Sequence, residues 1–209
     1  MKGQSGKLVV VAIVILLLGT QSLLAQEFVG KRLKKSKILK IEQKLHSNQI
    51  KMDDTVTASR QIYPFEYAYD LSNPYHFQRS ESEFSPLPQV KYFFNEKNDK
   101  LCFVEYSWQI ENIIDPQNTD DYFKQLENES SRLEEYKAFY EKLAAQLEAQ
   151  YGTPLKDHGY IVIDELGTPV HQRVLKFMND DNYAHLHLRF ATEGAHPGLH
   201  RIILRIYWE

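Results

Sequence analysis

The stretch "AHLHLRFATEGAHPGLHRIILRIYWE", residues 184–209, contains two runs in which apolar and polar side chains alternate. Alternate side chains of a β-strand point to opposite faces of its sheet, so each run predicts a strand with one apolar face. The apolar face of the first strand consists of Ala184, Leu186, Leu188 and Phe190. On the second strand the corresponding face consists of His200, Ile202, Leu204, Ile206 and Trp208.

The two apolar faces should share one core, because a slip of one residue would send one of them to solvent. Even-numbered residues then pair with even-numbered residues across the two strands. A two-residue turn at Pro197 and Gly198 would pair even with odd. The sequence therefore predicts a bulge or an odd-length loop within "ATEGAHPG".

The odd-numbered side chains share the other face of this strand pair, which we call the candidate face. It consists of Tyr183, His185, His187, Arg189, Arg201, Arg205 and Tyr207. Arginines offer planar forks of donors and tyrosines add hydroxyl groups, so the face suits an anionic ligand or an acidic protein partner. A plain alternative is a solvated outer face without a ligand, as antiparallel sheets commonly have.

A second alternative for the candidate face is a zinc site, because His185 and His187 lie two residues apart on one side of a strand. The neighbouring guanidinium groups would oppose a cation and lower the pKa of both histidines. The chain also lacks the Gly-x-Ser-x-Gly, P-loop and His-Glu-x-x-His motifs. We therefore predict no catalytic residue, no bound metal and no cofactor.

Upstream, "QVKYFF" and "LCFVEYSWQI" surround the polar turn "NEKNDK" and predict a β-hairpin. Cys102, the single cysteine, alternates with Val104, Tyr106 and Trp108 and is expected on the apolar face as a small hydrophobic residue. One cysteine cannot form an internal disulfide, so the fold must be held together by its core.

A long helix is predicted for residues 120–151, capped by Thr119 or Asp120 and ended by Gly152. "ENESS" in its middle is a weak point, where the helix is expected to bend or break. One apolar stripe runs along this helix and should lie on the sheet. It consists of Tyr122, Leu126, Leu133, Tyr136, Tyr140, Leu143, Leu147 and Tyr151.

The segments "GYIVID" and "VHQRVLKF" add further strands before residue 183. The predicted fold is α+β: an antiparallel β-sheet, formed by the hairpin and a three- to four-stranded meander, with the one long helix between them in sequence and packed on one face. This domain covers residues 89–209. Residues 52–88, which contain the aromatic "IYPFEYAYDLSNPYHF", are expected to be an extended segment or edge strand followed by a loop.

Residues 1–25 have the layout of a secretory signal peptide: Lys2 and Lys7, the apolar run Leu8–Leu18, and a small residue, Ala25, for cleavage. The apolar run is shorter than the about 20 residues that a membrane span needs. The sequence therefore predicts export, to the periplasm or the medium, after cleavage near Ala25. The alternative is an uncleaved N-terminal anchor.

Residues 26–51 form a basic arm with eight Lys/Arg and two Glu, a net charge of +6, whereas residues 52–209 have 15 Lys/Arg and 26 Asp/Glu, a net charge of −11. Ile38, Ile41 and Leu45 recur at helical spacing, so the arm is expected to be amphipathic. It could contact a membrane surface, remain a solvated helix, or lie on its own acidic domain. The residues for a membrane contact are Lys31, Arg32, Lys34, Lys35 and Lys37.

These observations predict an exported, non-enzymatic binding or structural module. Nucleic acid is not expected as a partner, because the domain is acidic. Two alternatives stay open: a metal-dependent enzyme that uses His185 and His187, and a membrane-attached component with an uncleaved anchor.

Overall fold

Nine antiparallel strands form one sheet in the computed structural model, which describes residues 32–50, 71–80, 82–110, 124, 127–165, 167–180, 182–192 and 199–208. The strands are β1 Asn48–Ile50, β2 Tyr75–Gln78, β3 Gln89–Phe94, β4 Leu101–Gln109, β5 Lys156–Asp157, β6 Ile161–Glu165, β7 Thr168–Met178, β8 Asn182–Ala191 and β9 His200–Trp208. Two helices are described over their full length, α1 Lys35–Lys44 and α2 Leu133–Tyr151.

The strands lie in the order β1-β2-β3-β4-β9-β8-β7, and β7 pairs on its other side with β5 and β6. The predicted hairpin is β3 and β4, and the predicted meander is β6 to β9. The last strand along the chain, β9, lies in the middle of the sheet between β4 and β8. The sequence pattern did not indicate this insertion, because alternation defines the faces of a strand but not its neighbours.

The register of β8 and β9 is the predicted one, because Leu188 lies opposite Ile202 and Phe190 lies opposite His200. Even-numbered residues therefore pair with even-numbered residues. The residues between this last pair, 191–199, are odd in number. The even-numbered side chains of both strands are buried on the face that carries α2.

Helix α2 packs on β7, β8 and β9 through the predicted apolar stripe. Tyr136, Tyr140, Leu143, Leu147 and Tyr151 are all buried. Aromatic side chains add contacts between the helix and the sheet: Phe139 meets Trp108 with ring centroids 5.3 Å apart, and Tyr151 meets Phe177 at 6.2 Å. The stripe is therefore core, as the sequence indicates.

Helix α2 is shorter than predicted. It begins at Leu133, after a turn at Ser131 and Arg132 that follows helical residues 127–130. The break lies at the end of "ENESS", the predicted weak point. Tyr122 and Leu126 lie outside the described residues.

The neighbours of Cys102 differ from those expected from the alternation of the hairpin strand. The pairing of β3 with β4 shifts between Phe93 and Phe94, so Phe93 lies opposite Phe103 whereas Phe94 lies opposite Leu101. This bulge interrupts the alternation, and Cys102 packs with Phe93, Phe103 and Tyr207 instead of with the even-numbered side chains. The thiol is buried, as expected for a small hydrophobic residue.

The main difference from the predicted fold is the number of helices on the sheet: the prediction has one, and the described part of the chain has two. Helix α1 buries Ile38 and Glu42 against β2 to β4. The carboxylate of Glu42 accepts a hydrogen bond from the hydroxyl of Tyr92, which lies opposite Val104 on the face of the sheet that carries α2. Both helices therefore lie on the same face of the sheet. Strands β1 and β2 extend the sheet beyond β3. The described parts of the basic arm and of the aromatic segment therefore belong to the same sheet as residues 89–209.

The predicted signal peptide, residues 1–25, lies outside the described residues, as does Lys31 of the predicted membrane contact. Of the other four residues in that contact, Lys34 and Lys37 are exposed, whereas Arg32 and Lys35 are half-buried. No helix in the described part of the chain is long and apolar enough to cross a membrane.

Candidate functional site

The candidate face is the central part of a polar layer that crosses most of the sheet, opposite the helices. Cross-strand neighbours form a line that we call the charged row: Lys176, His185, Arg205, Glu105, Lys91 and His76. Each member comes from a different strand, β7, β8, β9, β4, β3 and β2 in that order. With neutral histidines the row has three cations and one carboxylate.

An aromatic row lies on one side of the charged row. It consists of Tyr183, Tyr207, Phe103 and Phe93, which are again cross-strand neighbours. Phe93 and Phe103 stack with ring centroids 4.0 Å apart, and Phe103 and Tyr207 stack at 5.3 Å. Tyr207 is almost fully buried, and its burial raises the pKa of its hydroxyl to about 12. The two tyrosines predicted as donors are therefore part of an aromatic cluster.

On the other side of the charged row, His187 lies opposite Ile203 and Arg189 lies opposite Arg201. Ile203 and its neighbour Ser107 on β4 are buried. The direct opposition of two arginines is unusual, because like charges across a strand pair destabilise the sheet.

Glu105 partly neutralises the charged row. The Nε group of Arg205 donates to Glu105 Oε2 at 2.6 Å, and Lys91 Nζ lies 3.9 Å from Oε1. Glu105 is itself buried, so this carboxylate and Arg205 stabilise each other. Arg205 is thus a structural partner of β4 as well as a member of the candidate face.

The two remaining arginines of the candidate face differ in their partners. Arg189 forms an ion pair with Glu165 of β6. Arg201 forms neither an ion pair nor a side-chain hydrogen bond with any residue that the structure describes, and its Nε group is buried without an acceptor. Burial lowers the pKa of Arg201, and the nearby Arg205 and Arg189 lower it further, against the opposite effect of Glu105.

The two histidines of the candidate face are neutral over the physiological range. Burial lowers the pKa of His185 to about 4, and Lys176 and Arg205 act in the same direction. Burial and the charge of Arg205 lower the pKa of His187 to about 3. The Nε2 atom of His187 has no hydrogen-bond partner among the described residues, so this neutral imidazole can donate or accept one hydrogen bond.

The zinc alternative needs a third ligand beside His185 and His187, whose ring centroids lie 6.3 Å apart. In the described part of the chain, no three His, Cys, Asp or Glu side chains are grouped closely enough to hold a metal ion. The nearest charged groups to these imidazoles are cations, Lys176 and Arg205. The arrangement therefore suits an anion better than a metal ion.

The structure places all seven predicted residues on one face of the sheet. The histidines and arginines are half-buried, and Tyr207 is buried. Sequence reasoning missed Glu105 and Lys91, because β4 was not expected beside β9. The signal was present, since Glu105 is the one charged residue in the mostly apolar strand "LCFVEYSWQ".

Comparison of the chain with protein-family models, with curated proteins and with solved structures finds no match.

The lowered pKa values of His185 and His187 predict that acid destabilises the fold. The unfolded chain binds a proton at each histidine below its ordinary pKa of 6.5, whereas the folded chain does so only near pH 4 and pH 3. Stability is therefore complete above about pH 6.5 and falls as the pH drops toward those values. Each histidine should contribute a loss of about 1–2 kcal/mol between pH 7 and pH 5.

Urea unfolding at the two pH values measures this loss. The variant His185→Gln/His187→Gln should lose less stability on acidification than the native chain, because it has no imidazole to protonate at these positions. The variant His158→Gln, which changes an exposed histidine, should behave like the native chain. An equal loss in all three proteins would show that the two histidines are not the cause.

Proposed function

We propose that the protein is an exported, non-enzymatic binding module and that the candidate face binds an oxyanion group of its ligand, a carboxylate, phosphate or sulfate. The observation that carries this proposal is the direct opposition of Arg189 and Arg201 across β8 and β9, with Arg201 lacking any ion pair among the described residues. Directly opposite side chains have Cβ atoms about 5 Å apart, so an anion bound to Arg201 would lie beside Arg189 and share that guanidinium group with Glu165.

The energetic argument rests on desolvation. Arg201 has lost part of its hydration without gaining an anionic partner, and burial together with two neighbouring arginines disfavours its charged form. A bound oxyanion would remove this penalty, since a guanidinium group forms paired, charge-assisted hydrogen bonds with such groups. The ligand would thus supply the counter-charge that β4 supplies to Arg205 through Glu105.

The neighbouring neutral groups support the same ligand chemistry. His187 lies next to Arg189 on the candidate face and has an imidazole nitrogen free to bond within the described residues. Because it stays neutral at physiological pH, it adds a hydrogen bond without adding charge. The face is locally basic although residues 52–209 have a net charge of −11. This local positive charge would favour the binding of an anionic group at the candidate face.

Titration with inorganic phosphate tests the proposal, with the ring-proton NMR signals of His185 and His187 as the readout. The signals of the native chain should shift and saturate, and the apparent affinity should fall as salt rises, because the charges on the face are screened. Arg201→Gln should abolish the saturable shift with little effect on stability, since Arg201 has no described partner to lose.

The matched control is Lys156→Gln, which removes the same charge from an exposed residue of β5. It should bind phosphate like the native chain. Arg205 is unsuitable as the tested residue, because its removal would also disturb the buried Glu105. Saturable shifts that persist in Arg201→Gln, or shifts absent from the native chain, would contradict the proposal.

A further inference from the structure

A separate surface lies on α1, on the side of that helix that faces away from the sheet. Three lysines recur there in steps of three or four residues, and all are exposed: Lys37, Lys40 and Lys44. None of them forms an ion pair with a described residue, and the acidic residue of this helix, Glu42, is buried on the opposite side. We propose that this lysine face binds the surface of a membrane that contains anionic lipid.

The packing of α1 fixes the direction in which the lysine face points. Ile38 is completely buried against the sheet, and Glu42 forms an ion pair with Arg79 at 2.8 Å. The hydroxyl groups of Tyr92 and Ser47 donate to the same carboxylate. The helix cannot turn on its axis without breaking these buried contacts, so the three lysines are held outward together.

The chemistry of the lysine face fits a lipid surface better than a shaped protein partner. Lysine presents a hydrated point charge on a flexible stem, and an exposed row of such charges matches a fluid layer of anionic headgroups. Basic segments of four or more Lys/Arg on an amphipathic helix are typical of such contacts. The acidic remainder of the domain would be repelled by the same lipids, which makes the lysine face the side that approaches.

The inference is independent of the proposed anion-binding function. Helix α1 lies on the helix-covered side of the sheet, whereas the candidate face lies on the other side, so both surfaces can be occupied at once. If one proposal fails, the other still stands, because the two experiments measure signals from different residues.

Lysine acetylation read by mass spectrometry tests the lipid contact one residue at a time. The chain is used in the form in which the cell delivers it, with vesicles of phosphatidylcholine alone or mixed with phosphatidylglycerol. We expect the mixed vesicles to protect Lys37, Lys40 and Lys44, with the protection lost at high salt. The exposed Lys124 and Lys156 should be acetylated equally with both kinds of vesicle.

A variant makes the test quantitative. Lys37→Gln/Lys40→Gln/Lys44→Gln should weaken the anionic-lipid-dependent part of binding by about 100-fold, at roughly fivefold for each lysine. The control Lys124→Gln/Lys142→Gln/Lys156→Gln removes the same charge elsewhere and should bind like the native chain. Equal losses in the two variants, equal protection by both kinds of vesicle, or protection of Lys124 and Lys156 as well would overturn the proposal.

Discussion

Leu143→Asp is expected to lower the free energy of unfolding by about 4 kcal/mol. Leu143 is 3% exposed and lies in the middle of the buried stripe of α2, between Tyr140 and Leu147. A carboxylate there would lose both the apolar contacts of Leu143 and its own hydration. Urea unfolding, followed by circular dichroism, measures the loss.

The control for this substitution is Ala145→Asp, which places the same side chain on the exposed side of the same helix. It should cost less than about 1 kcal/mol, since only helix propensity changes. If Leu143→Asp instead cost below about 0.5 kcal/mol, the stripe would have to face solvent and the packing of α2 on the sheet would be wrong.

Arg79→Met is expected to cost about 3–5 kcal/mol, because it removes the cation that faces a buried carboxylate. The side chain of Glu42 is 0% exposed and that of Arg79 is 7% exposed. Arg79 also lies over the ring of Tyr106, 5.4 Å from its centroid, so the guanidinium group occupies a place that β2, β4 and α1 enclose together. Chemical unfolding of the variant measures the loss in the free energy of unfolding.

The double variant Arg79→Met/Glu42→Gln separates the lost charge pair from lost packing. A neutral amide at position 42 still accepts the hydrogen bond of Tyr92 but carries no charge that needs a partner. The double variant should therefore be more stable than Arg79→Met alone, a non-additive result that marks a direct interaction. If the double variant is the less stable protein, the ion pair does not account for the cost.

The faces of the strands were predictable from the sequence, whereas the neighbours of the strands were not. Alternation in residues 183–208 fixed which side chains of β8 and β9 lie together, and the register confirms it. Nothing in that pattern says that β9 pairs with β4 on its other edge. The seven residues predicted to share the candidate face therefore do share it, but Glu105, which compensates Arg205, was not predicted beside them.

The attachment of α1 to the sheet was not predictable from the sequence, for a different reason. The spacing of Ile38, Ile41 and Leu45 predicts an amphipathic helix, yet the residue that secures it to the sheet is Glu42. A glutamate in a basic, exposed segment has the sequence signature of a solvated residue. Its partner Arg79 is 37 residues away, and no local pattern connects the two. The bulge at Cys102 was hidden in the same way, since one extra residue leaves the apolar composition of β4 unchanged.

The position of β9 in the middle of the sheet has a consequence for how the chain folds. Glu105 of β4 and Arg205 of β9 are 100 residues apart, and closing a loop of that length costs about 4 kcal/mol of chain entropy before any contact compensates it. Local hairpins such as β3–β4 and β7–β8 close much shorter loops and so form first. Until the two halves join, β4 and β9 are each an unpaired edge rich in apolar residues, the kind of edge at which partly folded chains associate with one another. The joining of β4 to β9 is therefore expected to be the slow step of folding, and it covers the apolar edges of both strands.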